Sequence, residues 1–382
     1  MKKHRLLLCL LFQIFLLVCV SAQQSDTARI ARIEPDSIAL APLIFLASDN
    51  LEGRCVGSPG NDRAARYIAA QFRKAGARPL PGATSYFQVF TRSFYRRDLD
   101  RAGIGTRYNV PLGALAKGFV LKNIAAYIPG TDPKLKRQFI MLSAHYDHIG
   151  IADTAILAEG KADSIYNGAR DNATGTAAVI AAARYFGKHP ATRSMLFICF
   201  TAEEEGEVGS EYYSDNPLVP LNQTVFDLNI DNAGYNTTHA ICLFGRGRTT
   251  ADTLIEKACR GYGLAVLAEP PGRELFERSD NFKLAQTGVP APCFSLGMLE
   301  WDQRIDRYYH RVSDEVENMD LDYIVKFIRA YILSAQYIAN DPVQPRWTAG
   351  DVFQNAWLNL YASPSHPNAS PQHAVLPSPA HP

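Results

Sequence analysis

The sequence predicts an α/β fold, a three-layer α/β/α sandwich around a mixed, largely parallel central sheet. Short apolar runs alternate with amphipathic helical patterns along the chain, and this alternation is typical of layered α/β domains. Several of the runs are apolar at almost every position, as expected for strands of a sheet that is covered on both faces. The chain has 382 residues, 47% of them hydrophobic, and can therefore bury a large core.

Apolar runs mark the predicted strands of this sheet. They span residues 123–130, 138–148, 194–204, 224–234, 240–245 and 291–297. Between them, apolar residues recur at the spacing of a buried helix face. These helical patterns cover residues 37–80, 175–189, 251–264 and 321–341. The order of strands and helices indicates one continuous domain without internal repeats.

The two ends of the chain differ in composition from its centre. Residues 1–22 begin with basic side chains, continue with an apolar run and end in small residues, so we predict a secretory signal peptide cleaved after Ala22. An uncleaved N-terminal anchor is the alternative. The Pro- and Ser-rich residues 363–382 are predicted to be disordered. We therefore expect a secreted or periplasmic protein without a stable membrane anchor, with a domain over 23–345 and a C-terminal extension over 346–362.

Charge and cysteine content narrow the classes of function. The formal net charge of +1 gives no support for a nucleic-acid partner. Cleavage of the signal peptide would leave an odd number of cysteines, and no CxxC pair occurs, so we expect no zinc site made of thiolates. One disulfide remains open, while Cys199 and Cys293 lie in apolar runs and are predicted core residues.

Potential metal ligands follow three of the predicted strands. His145 and Asp147 come at the end of the first, Glu203 and Glu204 follow the second, and Asp231 ends the third. In open α/β sheets, ligands bind where the carboxyl ends of the strands converge. We therefore expect these side chains to meet in one crevice.

Asp171 and His310 extend this set from a helix start and a loop. Taken alone, Asp171 reads as an ordinary helix N-cap, and His310 as a surface histidine. Together, imidazoles and carboxylates without thiolates suit a catalytic zinc site with open positions. Two Zn²⁺ ions would be balanced by Asp171, Glu204, Asp231 and one hydroxide, whereas a single ion would leave the site net negative. The charge count therefore favours two ions per chain.

The ordered motifs resemble those of the zinc-dependent M28 family of aminopeptidases. They are HYDHIG, NGARDNATG, TAEEEGEVGS, LNIDNAG, RSDNF and RYYHRVSDEVENMD, and the resemblance runs from about residue 40 to 340. It implies the zinc exopeptidase fold, two Zn²⁺ ions and hydrolysis of N-terminal residues from peptides with a free N-terminus.

The resemblance also implies the metal ligands. Asp171 would bridge the two ions. His145 and Asp231 would complete the shell of one ion, and Glu204 and His310 that of the other.

Further residues would take part in catalysis if the resemblance holds. Glu203 would be the general base that takes a proton from a metal-bridging water and delivers it to the leaving amine. Asp147 would orient His145 through its other ring nitrogen. Tyr309 would donate a hydrogen bond to the developing oxyanion, with Arg278 assisting in the same region.

Three further expectations concern the matched segments. The resemblance implies a cis peptide between Asp171 and Asn172. Arg170 stands where relatives commonly have an acid, and a cation there is expected to alter the charge around the metals and their affinity. The space between residues 87 and 138 is too short for the protease-associated domain found in some relatives, so we expect none.

Two further predictions concern the acidic run, residues 203–207, and the segment before His310. Glu205 and Glu207 are expected to be solvated or to cap the next helix. Residues 297–310 form a longer connection than expected and are predicted to shape the substrate pocket.

Two other functions remain open at this stage. A single-zinc glutaminyl cyclase shares the fold, but such proteins usually follow the bridging Asp with a DSA..C sequence, where this chain has DNATGTAA. One zinc per chain would favour the cyclase. A catalytically dead binding module would have lost ligands or the base, whereas every matched position is occupied here. Side-chain specificity, exo- or endopeptidase action, the native metal and the oligomeric state are left open.

Overall fold

The computed structural model describes residues 24–95, 115–158 and 160–362. The predicted signal peptide and the predicted disordered tail lie outside these residues. The strands are β1 (Phe87–Tyr95), β2 (Leu115–Ile128), β3 (Phe139–His145), β4 (Gly150–Ala158), β5 (Lys161–Tyr166), β6 (Ser194–Phe200), β7 (Thr224–Ile230), β8 (Ala240–Phe244), β9 (Ala265–Ala268) and β10 (Cys293–Leu296). The α-helices are α1 (Asp36–Leu46), α2 (Pro59–Lys74), α3 (Thr174–Lys188), α4 (Val208–Asp215), α5 (Asp252–Arg260), α6 (Asn281–Thr287), α7 (Gln303–Asp306), α8 (Leu321–Asn340) and α9 (Gln354–Ala362). Residues 24–33 are helical as well.

The central sheet is mixed and parallel at its centre, as predicted. Its strand order is β1-β2-β6-β3-β7-β10-β8-β9. Strands β6, β3, β7 and β10 run parallel. Strands β1 and β2 pair antiparallel with their neighbours, and β8 is antiparallel to β10 but parallel to β9. The parallel strands are buried along their whole length, which explains why they appear as continuous apolar runs.

Every predicted apolar run contains a strand, but β1, β4, β5 and β9 were not predicted. Strands β1 and β9 are the two edges of the sheet, and β4 and β5 form a separate hairpin. Edge strands and isolated hairpins bury less of their surface, so they lack the continuous apolar pattern that marks the central strands.

Helices cover both faces of the sheet. On one face α1, α2, α3, α5 and α8 share a large apolar core with the strands. On the other face α4, α6 and α9 pack over a second core. The predicted three-layer α/β/α sandwich is therefore correct.

The prediction of helix over residues 37–80 is only partly correct. Helix α1 ends at Leu46, and α2 begins at Pro59, capped by the Ser58 side chain, which accepts from the Asn61 amide. Between them, Gly53 has a positive φ of 63°, and an added Cβ would lie 2.3 Å from the carbonyl oxygen of Gly150. Glycine at this position permits both the bend of the chain and the close contact with Gly150.

Neither a disulfide nor a helix that could span a membrane is found in the described part of the chain. Cys55, Cys199, Cys242, Cys259 and Cys293 are all buried, and no disulfide forms among them. Cys199 and Cys293 are core residues, as expected. No described helix has the length and apolarity needed to cross a bilayer.

Asp227, in the middle of β7, is a buried acid whose titration should affect folding. Its Oδ1 accepts a 2.8 Å hydrogen bond from Ser143 Oγ, and its Oδ2 is buried without a partner among the described residues. Burial raises the pKa of Asp227 to about 8. An acid whose folded-state pKa exceeds its unfolded value of about 3.9 must take up a proton on folding. Asp227 therefore lowers stability progressively as the pH rises from about 4 to about 8.

We predict that Asp227→Asn raises the free energy of unfolding, and that the gain over wild type grows between pH 5 and pH 8. The gain at pH 8 is expected to be on the order of 5 kcal/mol, because the pKa rises by about four units and one unit corresponds to about 1.4 kcal/mol. Urea denaturation of both proteins across this pH range measures it. A difference that stays constant with pH would contradict the prediction.

Candidate metal centre

The carboxyl ends of three adjacent parallel strands deliver the predicted site residues. Strand β3 ends at His145, β7 ends at Ile230 just before Asp231, and β6 leads within three residues to Glu203. Because β6, β3 and β7 are neighbours in the sheet, these ends lie at one edge, as the strand-end pattern predicted.

All the predicted metal ligands come together at this edge. Asp171 Oδ1 lies 3.3 Å from His145 Nε2, and Asp171 Oδ2 lies 3.2 Å from His310 Nε2. Asp231 Oδ1 is 3.2 Å from His145 Nε2. Glu204 Oε2 is 3.1 Å from His310 Nε2. Asp171 therefore turns one oxygen toward each histidine.

His148 also belongs to the cluster, although it was not predicted. Its Nδ1 lies 2.6 Å from Glu204 Oε1, and its Nε2 is buried without a partner among the described residues. An added Cβ at Gly168 would lie 2.5 Å from His148 Cδ2, so glycine makes room for the ring. The second histidine of HYDH is its only signal in the sequence, and it lies three residues beyond the end of β3.

The donor atoms fit zinc. Ligand atoms of His145, Glu203 and Asp231 form one group within 4.8 Å of one another, and those of His148, Asp171 and Glu204 form a second. Both groups offer imidazole nitrogens and carboxylate oxygens without thiolates, a donor set typical of catalytic zinc. Asp171 Oδ1 is buried and receives no hydrogen bond from the described residues, which leaves it available to a cation.

Adjacent glutamates of the acidic run have opposite pKa shifts. Burial and the nearby Asp231 raise the pKa of Glu203 well above its usual range. Burial also acts on Glu204, but His310 and His148 outweigh it and hold the pKa of Glu204 well below the usual range. Glu204 is therefore stabilised as an anion, whereas the proton affinity of Glu203 is increased.

The histidines and Asp171 stabilise one another's charged forms. Burial lowers the pKa of His310, but Glu204 and Asp171 outweigh it and raise the pKa to about 11. For Asp171, burial and Glu204 favour the neutral form. The facing imidazoles of His145 and His310 outweigh them and lower its pKa to about 2. Positive charge is thus strongly favoured between these carboxylates.

Asp147 holds the backbone of the acidic run. Its carboxylate accepts from the backbone N–H groups of Glu203 and Glu204, at 3.3 and 3.4 Å. It is also 3.8 Å from His145 Nδ1, while the backbone carbonyl of Asp147 is closer to that nitrogen, at 3.3 Å. Ala202, just before Glu203, adopts a positive φ of 59°. Asp147 and this turn therefore fix the backbone from which the Glu203 and Glu204 side chains extend.

The prediction that Glu205 and Glu207 are solvated or cap a helix is wrong. Both carboxyl oxygens of Glu205 are buried without a partner among the described residues, and burial raises its pKa. Glu207 is 9% exposed, pairs with Lys283 at 3.3 Å and makes no capping bond to α4. Positive φ angles at Ala202 and Gly206 turn this loop back onto the end of the sheet, which explains the burial.

Arg170 forms its ion pair with Asp314. Its Nη1 donates to Asp314 Oδ1 at 2.9 Å, and its guanidinium lies 3.9 Å from the centre of the Tyr308 ring. Asp314 also accepts from the backbone N–H groups of Arg170 and Asp171, at 2.9 and 3.1 Å. Asp314 therefore neutralises the cation. The cis peptide between Asp171 and Asn172 is present, as expected.

A cleft opens beside the cluster. Its wall includes Tyr309, whose ring stacks on His310 with centroids 4.0 Å apart, and Arg278, whose Nη2 lies 3.4 Å from Tyr309 Oη. Ser279 Oγ donates to Asp231 Oδ2 at 2.7 Å. The cleft is lined by Asp171, Glu203, Asp231, Ala233, Phe244, Leu275, Arg278, Ser279, Tyr309 and His310. Residues 297–310 contribute to this wall, in line with the prediction that they shape a pocket.

Arg54 lies fully buried and donates to backbone carbonyls around the cluster. The acceptors are the carbonyl oxygens of Leu46, Tyr146, Asn167 and Gly168. Tyr146 follows His145 directly, and Asn167 and Gly168 precede Asp171, so this one cation ties together the segments that carry the ligands.

We predict that His148→Ala weakens zinc binding by about 10- to 100-fold, because Glu204 loses the donor that orients it. His148→Asn should keep most of the affinity, since the Asn amide N–H can take the place of Nδ1–H. Competition with a chromophoric chelator measures this without any assay of activity. His239→Ala, at an exposed histidine, is the control. Equal zinc affinity in His148→Ala and wild type would contradict the prediction.

Comparisons with known proteins agree with this geometry. The sequence model of Peptidase family M28 matches residues 123–334. Aminopeptidase YwaD of Bacillus subtilis is 23% identical over 181 residues, 47% of this chain and 36% of that protein. The chain thus spans about a third of the length of this curated relative.

Solved structures share the fold at low identity. An aminopeptidase from Aneurinibacillus sp. strain AM-1 superposes with a TM-score of 0.56 at 17% identity, covering 83% of this chain and 97% of that one. A glutaminyl cyclase from Porphyromonas gingivalis gives a TM-score of 0.57 at 16% identity, covering 78% and 96%. The family match covers more than half of the chain and includes the clustered residues from His145 to His310, and the chain therefore belongs to peptidase family M28.

Proposed function

We propose that this chain is a zinc aminopeptidase that holds two zinc ions and removes N-terminal residues from peptides with a free N-terminus. Asp171 is the observation that supports two ions. Its two oxygens face different histidines, His145 at 3.3 Å and His310 at 3.2 Å. Asp231 lies on the side of His145, and Glu204 on the side of His310.

Residues of this chain would hold the ions and move the proton. His145 and Asp231 would bind one ion, Glu204 and His310 the other, and Asp171 both, with His148 orienting Glu204. When bound, zinc polarises a substrate carbonyl and lowers the pKa of water.

Glu203 accepts the proton of the attacking water and returns it to the leaving amine. Its raised pKa suits this transfer because the protonated form has to persist until the amine departs. Tyr309 donates to the oxyanion that develops on the carbonyl. Burial raises the pKa of Tyr309 well above its usual range, so the phenol keeps the proton that it donates. Arg278 lies beside that hydroxyl.

Hydrolysis of aminoacyl-nitroanilides tests the proposed activity. We expect the full chain to release nitroaniline with zinc, to lose this activity on chelation and to regain it when zinc is restored. No hydrolysis across a broad panel of substrates with zinc present would overturn the proposal.

Glu203→Gln and Glu204→Gln separate the two adjacent acids. We predict that Glu203→Gln lowers kcat by about 10²- to 10⁴-fold, the usual contribution of a general base, while the zinc content stays that of wild type. Glu204→Gln should lose bound zinc as well, because an anionic ligand is removed. Glu211→Gln, at an acid paired with Arg92 outside the cluster, is the control. Elemental analysis and nitroanilide kinetics measure both effects. The assignment fails if Glu203→Gln loses zinc to the same extent as Glu204→Gln.

Single-zinc glutaminyl cyclase is the second candidate, since the Porphyromonas gingivalis cyclase has a TM-score comparable to that of the aminopeptidase. A cyclase converts N-terminal Gln to pyroglutamate and leaves the peptide bond intact. Mass spectrometry of a Gln-peptide after incubation distinguishes the two products, and zinc titration distinguishes one ion from two.

We also propose that the chain is exported, with residues 1–22 removed. N-terminal sequencing of the mature protein tests this, and a mature protein that begins at Met1 would overturn it.

A further inference from the structure

The cleft beside the metal centre is lined by both acidic and apolar side chains. Asp171, Glu203 and Asp231 supply the acids, and His310 also belongs to the lining. Ala233, Phe244 and Leu275 supply the apolar part. Arg278 adds a permanent positive charge to this lining.

Arg278 has no anionic partner in the part of the chain that the structure describes. Its side chain is exposed, and its hydrogen bond goes to the neutral hydroxyl of Tyr309, at 3.4 Å. No carboxylate of the described residues lies within 4.0 Å of its guanidinium. A guanidinium has five N–H donors, so most of its donors remain for an incoming group.

Other cations near the centre are already engaged. Arg170 pairs with Asp314, and Lys283 pairs with Glu207. Arg273, on the same loop as Arg278, lies 4.4 Å from the centre of the Trp301 ring. Among these cations, Arg278 is therefore the one that lines the cleft and has no ion-pair partner among the described residues.

We propose that Arg278 selects substrates that carry a carboxylate next to the scissile bond, an inference that rests on the proposed peptidase function. A substrate whose carbonyl reaches the metal cluster extends its neighbouring groups into this cleft. The planar guanidinium binds a carboxylate through paired hydrogen bonds, while Phe244 and Leu275 contact the aliphatic part. The acids that line the cleft attract the substrate α-amine, and the two opposite charges thus fix its orientation.

Two groups can supply this carboxylate. One is an acidic side chain on the first residue, and the other is the C-terminal carboxylate of a dipeptide. The tripeptide amides Glu-Ala-Ala and Gln-Ala-Ala test the first source, since they differ mainly in one charge. Ala-Ala and Ala-Ala-amide test the second.

Binding to zinc-loaded full-length Glu203→Gln, measured by calorimetry, keeps the substrates intact. We expect the acid of at least one pair to bind about tenfold more tightly than its amide, as charge-assisted hydrogen bonds allow. Arg278→Ala in the same protein should remove this preference, and Arg278→Lys should keep part of it. Arg273→Ala, on the same loop but engaged with Trp301, should keep the preference in full.

Equal binding of acid and amide in both pairs overturns the proposal, and so does a preference that survives Arg278→Ala. Turnover of acidic and neutral substrates by Arg278→Ala is an independent test. If Arg278 acted only through its contact with Tyr309, the substitution would slow both classes of substrate equally. If zinc-loaded wild type hydrolyses no substrate while the Arg278-dependent preference is present, the proposed peptidase function fails and the selective site stands.

Discussion

The acids of the metal centre are buried, and the rest of the site depends on the buried positive charge that lies beside them. Arg54 supplies that charge from within the protein. Burial lowers the pKa of Arg54 to about 10, while Asp171, Asp147, Asp314 and Glu204 act in the opposite direction. Its guanidinium therefore stays protonated at neutral pH. Because isolated buried carboxylates are costly, a fixed cation makes it possible to keep this many acids close together.

A second buried cation, Arg170, forms an ion pair with Asp314 close to the cluster. Asp314 lies four residues after His310, and it accepts hydrogen bonds from the backbone of the segment that carries Asp171. The contact joins residues 144 positions apart in the chain. The segment that carries Asp171 is thus held by one buried carboxylate, that of Asp314. Arg170 neutralises the charge of the Asp314 carboxylate.

The sequence was sufficient for the centre of the sheet and for the residues at its strand ends. Strands buried on both faces leave a pattern that needs no knowledge of the neighbours, and polar residues after such strands can be placed at the same edge. His148, Glu205 and Glu207 could not be placed in this way. Their environment depends on how short loops turn back, and those turns rest on backbone angles at Ala202, Gly206 and Gly168 that a sequence pattern does not reveal.

The arrangement of the ligands along the chain has a consequence for biosynthesis. Strands β3, β6 and β7 and the acids at their ends leave the ribosome well before the loop with His310 and Asp314, since synthesis proceeds from the N-terminus. A polypeptide interrupted before this loop contains most of the acids but lacks both the last imidazole and the carboxylate that anchors Asp171. Unfinished products of translation therefore cannot assemble the complete cluster.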